Sequence, residues 1–297
     1  MTTSKNIAVA RLWFRKGKNE YFSFKQLVDT FPNIKFDFHI VLDEPEYEDE
    51  WTSKINDLNL NIKYYTKQFL DDYFLDCYPG LSYMIPKFNN FIHFYHILIG
   101  HYLRRVLIYD YMLTYEYDIV FNNDLHYLED ILEKKIPFGI IEPMNKNCDK
   151  ALLNSLNSLY NINLLELIQK NNPNISGINA GFQGINLHLF DDILSVSTLE
   201  SILNIFNFTG IYKEDGTEEW GWERTMIDTQ EQSFYSLMNQ IYSSNFKILL
   251  TDEYFFLPCW GDVPGYVKDA MRSKIVHFTG HKKAQELYDI INKKVWM

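Results

Sequence analysis

Cysteine is scarce in this chain, which has only three in 297 residues. Cys77, Cys148 and Cys259 are far apart, and no two of them form a CxxC pair. A structural zinc cluster needs closely spaced ligands, and a disulfide framework needs an even set of cysteines in an oxidising compartment. The sequence therefore predicts neither a zinc cluster nor a disulfide-stabilised fold.

Positive charge is also in deficit. Lysine and arginine together number 28 against 39 aspartates and glutamates, which gives a formal net charge of −11. Because binding to nucleic acid depends on basic side chains that neutralise phosphates, we expect no nucleic-acid partner. An anionic nucleotide would need a local positive site, supplied by a metal ion or by a few lysines and arginines.

Long apolar runs and flexible linkers are absent as well. No apolar segment approaches the roughly 20 residues that span a bilayer, and residues 1–6 lack the charged and apolar regions of a secretory signal. We therefore expect a cytoplasmic protein without a membrane span. No Gly- or Ser-rich stretch divides the chain, so we expect a single compact domain over residues 1–297.

Apolar residues make up 46% of the chain, including 22 Phe and 21 Tyr, which is enough for a large core. Runs with strand character lie at residues 6–14, 36–42, 60–65 and 111–115. Helix-like stretches lie between them at residues 21–30 and 89–106. This alternation predicts an α/β fold with a doubly wound, mostly parallel sheet flanked by helices.

The triplet Glu116-Tyr117-Asp118 follows the strand predicted at residues 111–115. Acidic side chains at the carboxyl end of a buried strand project into the crevice where α/β sheets bind ligands. Two carboxylates that converge there raise each other's pKa unless a cation keeps them ionised. The triplet therefore predicts a divalent metal that bridges to a phosphorylated ligand.

Three further segments carry polar residues of the kinds that bind ligands. They contain Asn179 between two glycines, then Glu231-Gln232, and finally His277 with Gly280 and Lys283. Each also has a purely structural explanation: a strand flanked by turn glycines, a capped helix, and a core histidine followed by solvated lysines. The helix after Gln232 is predicted from apolar residues at helical spacing, which we expect in the core: Phe234, Leu237, Met238 and Ile241.

In their order and character these four segments resemble glycosyltransferases of the GT-A fold, and family 8 in particular. That family includes glycogenins and bacterial lipopolysaccharide galactosyl- and glucosyltransferases. Its motifs correspond here to Glu116-Tyr117-Asp118 with the later pair Asp124-Leu125, to Asn179-Ala180-Gly181, to Glu231-Gln232, and to His277, Gly280 and Lys283. The resemblance spans roughly residues 90–285. It implies a Rossmann-like GT-A fold with a nucleotide-binding half at about 1–125 and a sugar- and acceptor-binding half at about 126–297.

The resemblance implies a nucleotide-sugar donor, most often a UDP-sugar, bound with Mn²⁺ or another divalent cation. Asp118 and His277 would be metal ligands, and Glu116 would be a third ligand or a contact to the ribose. Carboxylate and imidazole ligands suit Mn²⁺ better than Mg²⁺.

The same resemblance completes the donor site with Tyr117, Gly280 and Lys283. Lys283 would meet the diphosphate, and Lys282 would take this role if the register slips by one residue. Tyr117, Gly280 and Lys283 would therefore bind the metal cofactor or the donor and would not act on the reacting carbon.

Asn179, Glu231 and Gln232 are the candidate catalytic residues by this resemblance. Asn179 and Gln232 would face the sugar near the reacting carbon. Family 8 enzymes retain the anomeric configuration, so we expect retaining transfer. An inverting enzyme would need a carboxylate base beside the acceptor hydroxyl, and Glu231 or Asp228 could serve.

The chain departs from the family pattern at three places. Glu replaces Asp at positions 116 and 231, and Ala284-Gln285 stands where Pro-Trp commonly follows the lysine. The extra methylene of Glu116 changes how this carboxylate reaches a metal or a ribose.

Two other functions stay open on the sequence. A sugar-nucleotide nucleotidyltransferase would share the α/β core and the metal, although residues 11–18 hold one glycine and not the usual glycine-rich run. An inactive glycosyltransferase-like fold could act as a binding or scaffolding protein. The acceptor, whether glycan, protein, lipid or small molecule, and assembly into a homo-oligomer are also left open.

Overall fold

The structure, a computed structural model, describes residues 6–13, 18–42, 50–85, 94–122, 125–140, 178–179, 181–193, 234–235, 238–240, 242–249, 254 and 272–277. Its strands are β1 (Ile7–Trp13), β2 (Phe36–Leu42), β3 (Asn61–Thr66), β4 (Tyr111–Tyr115), β5 (Ile119–Phe121), β6 (Phe138–Ile140), β7 (Phe182–Asn186), β8 (Lys247–Leu249) and β9 (Ile275–His277). Its helices are α1 (Lys18–Thr30), α2 (Glu50–Asn56), α3 (Lys67–Cys77), α4 (Phe94–Arg105), α5 (His126–Glu133) and α6 (Leu189–Ile193), with a 3₁₀ helix at Pro79–Met84.

Seven strands form one sheet in the order β3-β2-β1-β4-β7-β6-β8. β1 pairs in parallel with β2 and with β4, β2 pairs in parallel with β3, and β6 pairs in parallel with β8. Among the described strands of this sheet, only β7 runs antiparallel to its neighbours, which are β4 and β6. Every residue of β2 and β4 is buried, as expected when helices cover both faces of a sheet. The prediction of a mostly parallel sheet flanked by helices is confirmed.

The observed elements lie close to the predicted ones in the first half of the chain. The strand predicted at residues 111–115 has the same bounds as β4, and the strand predicted at residues 36–42 has the same bounds as β2. In the helix predicted at residues 89–106, the described part forms α4, and residues 89–93 lie outside the described residues. Strand–helix alternation is therefore a sound guide here, because β1, β2 and β4 are short, mostly apolar runs.

The two faces of the sheet bury two separate apolar clusters. Successive residues of β1 point to opposite faces, so Ile7 and Val9 join one cluster while Ala8 and Ala10 join the other. Phe234 and Met238 are buried in the second cluster, which confirms the core position predicted for them. The other two predicted core positions, Leu237 and Ile241, lie outside the described residues.

A second sheet of two strands joins the middle of the chain to its last described segment. β5 pairs antiparallel with β9, and the register sets Ile119 opposite His277. Since only three residues separate the end of β4 from the start of β5, this pairing fixes β9 beside the carboxyl end of β4.

Among the described residues, no helix has both the length and the apolar character needed to cross a bilayer. Cys77 is exposed and belongs to no disulfide. The other two cysteines, Cys148 and Cys259, lie outside the described residues.

Candidate metal and nucleotide site

The acidic triplet forms the short connection between β4 and β5. The backbone N–H of Glu116 donates to the carbonyl of Gly181 over 2.9 Å, and the N–H of Ile119 donates to the carbonyl of Glu116 over 3.3 Å. The second bond closes a turn, which we call the acidic turn (residues 116–118), and the first bond ties this turn to Gly181. It lies at the carboxyl end of β4, the edge at which parallel sheets bind ligands.

His277 meets the acidic turn because it is the last residue of β9, opposite Ile119. Its Nε2 lies 3.2 Å from Asp118 Oδ1 and 3.3 Å from Glu116 Oε2. One ligand atom from each of the three side chains lies within 4.8 Å of the other two. The structure thus brings together the three residues that the sequence predicts as metal ligands.

The environment of His277 favours its charged form. Burial disfavours the imidazolium, but the carboxylate of Asp118 and then that of Glu116 favour it more strongly, and together they raise the pKa of His277 to about 10. Without a metal, the buried imidazolium thus offsets one of the two negative charges of the acidic turn. A metal ion that takes a ring nitrogen has to displace this proton, as is usual for imidazole ligands.

Asp118 Oδ1 is buried and accepts no hydrogen bond. Its contact with His277 Nε2 is short enough for strong attraction, but it is not aligned as a hydrogen bond. A buried carboxylate oxygen without a hydrogen-bond donor is costly, and in the metal-free protein the attraction of the His277 imidazolium offsets only part of this cost. A bound metal ion would satisfy the oxygen directly. This oxygen, a second carboxylate and an imidazole form a donor set that fits a divalent transition metal.

Gly181 and Asn179 close the site from the side of β7. The Gly181 N–H donates to Asn179 Oδ1 over 2.8 Å, and Asn179 is buried. A Cβ at position 181 would lie 2.8 Å from His277 Cε1 and 3.2 Å from Glu116 Oε2. The sequence indicated a close backbone approach to a ligand at this glycine, whereas the structure shows a close approach to two of the candidate metal ligands.

Gly181→Ala is therefore expected to push His277 and Glu116 apart and to weaken Mn²⁺ binding, on the order of tenfold, with a stability loss of about 1–3 kcal/mol. Isothermal titration with Mn²⁺ and a thermal melt would measure the two effects. Gly80→Ala is the matched control, because a Cβ there meets nothing within 4 Å. Mn²⁺ binding of wild-type strength in the Gly181 variant would contradict the packing argument.

Several predicted site residues lie outside the described residues. These are Glu231, Gln232, Gly280 and Lys283, together with the alternatives Asp228 and Lys282. Tyr117 is described, and its side chain is 42% exposed at the tip of the acidic turn. Its assignment to the donor site stays a prediction.

A buried polar cluster that was not predicted from the sequence lies beneath the acidic turn. Gln26 Nε2 donates to the Tyr115 hydroxyl and to the carbonyl of Ile119, each over 3.1 Å, and the Tyr115 hydroxyl donates to the carbonyl of Ser23. Burial raises the pKa of Tyr115 to about 12, so the hydroxyl keeps the proton that it donates. Helix α1 is thereby tied to both residues that flank the turn, Tyr115 and Ile119.

Arg11 belongs to the same cluster and lies within the apolar strand β1. Its Nη1 donates to Ser23 Oγ over 2.9 Å, and its guanidinium lies 5.1 Å from the centre of the Phe24 ring and 5.8 Å from that of Tyr117. A single charged residue in the run NIAVARLWF was the signal that could have identified it.

Comparison with known proteins gives structural neighbours but no relative by sequence. No protein-family model matches the chain, and no curated protein matches it. One similar solved structure is the galactosyltransferase LgtC in complex with donor and acceptor sugar analogues, at 13% identity and a TM-score of 0.48, covering 97% of this chain and 96% of that one.

Two further neighbours are a mouse enzyme and a fungal one. Mouse xyloside xylosyltransferase 1 in its apo form has 12% identity and a TM-score of 0.46, with 93% of this chain and 98% of that one covered. Core-mannan synthase A from Aspergillus fumigatus in its Mn/GDP form has 13% identity and a TM-score of 0.47, with 82% and 72% covered. Similarity of this degree assigns no activity, so function has to be inferred from the residues of the site.

Proposed function

We propose that this chain is a metal-dependent glycosyltransferase that transfers a sugar from a UDP-sugar to an acceptor, with Mn²⁺ as its cation. The observation that carries the proposal is the convergence of Glu116, Asp118 and His277 at the carboxyl edge of the parallel strands. Such an edge is where α/β sheets bind nucleotides, and two carboxylates with an imidazole are a metal-ligand set. The motif resemblance to family 8 glycosyltransferases supports the same function.

The three candidate ligands fit a metal because they are held in place before any metal binds. The acidic turn is closed by backbone hydrogen bonds, and β9 holds His277 through its pairing with β5. Asp118 Oδ1 is buried without a hydrogen-bond donor, so a cation would satisfy it. When bound, a divalent cation stabilises the negative charge that develops on the leaving nucleoside diphosphate.

The donor's nucleotide would lie along the acidic turn. Tyr117 offers an exposed aromatic ring next to the two carboxylates, and an aromatic face of this kind can stack on a base. Glu116, one methylene longer than the Asp of the family pattern, would reach the metal or the ribose. By the motif resemblance, Gly280 and Lys283 complete the diphosphate site.

The sugar would lie on the side of β7, where Asn179 is buried next to Gly181. By the motif resemblance, Gln232 and Glu231 face the same sugar, and Gln232 is too weak a nucleophile for a covalent intermediate. We therefore propose retaining transfer on one face of the sugar, with the leaving phosphate accepting the proton of the acceptor hydroxyl. Proton NMR of the product's anomeric centre measures the configuration, and inversion would instead assign a base role to Glu231 or Asp228.

UDP is expected to stabilise the protein only when Mn²⁺ is present. With ligand at about 100 times its Kd, the gain is about 2.7 kcal/mol, which corresponds to a rise in Tm of roughly 5–10 °C. Thermal melts with Mn²⁺ and UDP together, with each alone, and with UDP plus EDTA measure this. Equal stabilisation with and without the metal would contradict the proposed site.

A donor screen separates the proposed activity from its two alternatives. UDP-glucose, UDP-galactose, UDP-N-acetylglucosamine and UDP-xylose are incubated with Mn²⁺, and the nucleotide products are separated by ion exchange. A glycosyltransferase releases UDP by slow hydrolysis, because water replaces the acceptor. In a parallel incubation with added pyrophosphate, a nucleotidyltransferase would convert the UDP-sugar to UTP and sugar 1-phosphate, whereas an inactive binding protein would bind UDP without turnover.

A further inference from the structure

Arg11 is a buried cation that, among the described residues, forms no ion pair with a carboxylate. The residue is 2% exposed, and its Nη2 is buried without a hydrogen bond. Its Nη1 donates to a neutral group, Ser23 Oγ, and no described carboxylate lies within ion-pair distance of the guanidinium. Buried charges in proteins are normally paired, because an unpaired one costs several kcal/mol. This exception calls for a physical reason.

The position of Arg11 points to the candidate donor site. β1 is the neighbour of β4, and Arg11 lies two residues before the carboxyl end of β1. Its guanidinium lies between the Phe24 ring of α1 and the Tyr117 ring of the acidic turn. The hydrogen bonds from α1 to Tyr115 and Ile119 hold this turn over the guanidinium.

The charges of the proposed complex give Arg11 a role. The two carboxylates, Glu116 and Asp118, balance a divalent cation, so an added nucleoside diphosphate leaves the site with excess negative charge. A fixed positive charge beneath the turn reduces this excess. The same charge repels the metal ion when no nucleotide is present.

We propose that Arg11 is a positioning and charge-balancing residue of the donor site: it holds Tyr117 and makes the site favour a metal bound together with a nucleoside diphosphate over a metal bound alone. This inference rests on the proposed function. It explains why a guanidinium that forms no ion pair with a described carboxylate lies 5.8 Å from the ring of Tyr117, the residue between the two candidate metal-ligand carboxylates. The diphosphate of the donor is the anion that compensates it.

A purely structural role for Arg11 predicts a different result. If the residue only tied β1 to α1 through Ser23, its loss would loosen the whole cluster and weaken the binding of Mn²⁺ and of UDP alike. The charge-balancing role predicts opposite effects on the two ligands. Measuring both ligands in one variant therefore distinguishes the two roles.

The test uses Arg11→Met, which removes the charge but keeps most of the side-chain length. Arg11→Gln is a second neutral variant, to be used if the Arg11→Met protein folds poorly. Mn²⁺ alone is titrated by electron paramagnetic resonance, and UDP is titrated calorimetrically at saturating Mn²⁺. We expect UDP binding to weaken on the order of tenfold, as for one charge roughly 10 Å from the anion at an effective dielectric near 20. Mn²⁺ alone should bind as tightly as before or more tightly.

Two further variants complete the test. Arg11→Lys should restore most of the UDP affinity because it restores the charge, and the loss in Arg11→Met should shrink at high salt. Lys35→Met is the matched control: it removes one positive charge at an exposed position at the opposite, amino edge of β2. It should change neither affinity.

Weaker Mn²⁺ and UDP binding in parallel, or UDP binding in Arg11→Met within twofold of wild type, would overturn the inference. Failure of the proposed function shows differently, because wild-type protein would then bind no UDP in the presence of Mn²⁺. That result would refute both the proposed function and the proposed role of Arg11. If wild-type protein does bind UDP with Mn²⁺, the Arg11 variants test the role of Arg11 alone.

Discussion

Asp118→Asn is expected to abolish metal-dependent sugar transfer, with a fall in kcat of about a thousandfold, while the protein stays folded. The substitution is nearly isosteric but removes the negative charge of a buried ligand whose Oδ1 accepts no hydrogen bond and lies 3.2 Å from His277 Nε2. Release of UDP from UDP-sugar with Mn²⁺, corrected for the rate in EDTA, measures the loss. Near-ultraviolet circular dichroism checks that the fold is kept.

The matched control for this variant is Asp130→Asn. Asp130 lies on α5, where it forms an exposed ion pair with Lys134, away from the acidic turn. Its loss should leave the activity at the wild-type level, because exposed ion pairs contribute little to stability. Full activity in Asp118→Asn would show that this residue is not a ligand of the catalytic metal.

Of the substitutions considered, His277→Ala is expected to destabilise the metal-free protein most, lowering its free energy of unfolding by about 3 kcal/mol at neutral pH. The ring is 3% exposed and, with a pKa of about 10, carries the positive charge that balances Asp118 and Glu116. Its removal leaves a cavity and two close carboxylates without their counter-charge. Urea unfolding measures the cost, and Mn²⁺ titration should show that binding is lost.

A double-mutant cycle tests the electrostatic part of this cost. Combined with Asp118→Asn, His277→Ala should cost less than the sum of the single changes by about 1 kcal/mol or more, because the two side chains interact directly. His126→Ala, at a mostly exposed histidine on α5, is the control and should be near neutral. Strict additivity of the two site mutations would contradict a coupled Asp118–His277 pair.

The sequence predicted the part of the fold that depends on local pattern. β2 and β4 are short apolar runs between polar segments, so their bounds could be read directly. The acidic turn could be located for the same reason, because it follows β4 immediately. The motif resemblance then named His277 as the third member, and the structure places it against the turn.

What local pattern could not provide is the set of contacts between distant segments. The pairing of Ile119 with His277 joins two short strands from separate parts of the chain, and three-residue strands carry almost no periodicity. The contact of Gly181 with His277 depends on that pairing. Neither could be derived before the strands were placed.

Arg11 was overlooked for a related reason. In the sequence, Arg11 is only an isolated charge within an apolar strand. Its place in the site becomes clear when β4, the neighbour of β1, brings the acidic turn over the guanidinium. Its significance also depends on the lack of an ion pair with any described carboxylate, which becomes visible only in the three-dimensional structure. Electrostatic support for a site is thus harder to predict from sequence than the ligands themselves.

The most direct test of the account is an anomalous difference map at the manganese edge, from crystals grown with MnCl₂ and UDP. We predict a peak about 2–2.5 Å from both His277 and Asp118, with the diphosphate of UDP bound to the same ion. Glu116 would be a further ligand of that ion or would contact the ribose. A manganese–UDP complex bound elsewhere, with His277 still paired to an empty acidic turn, would contradict it.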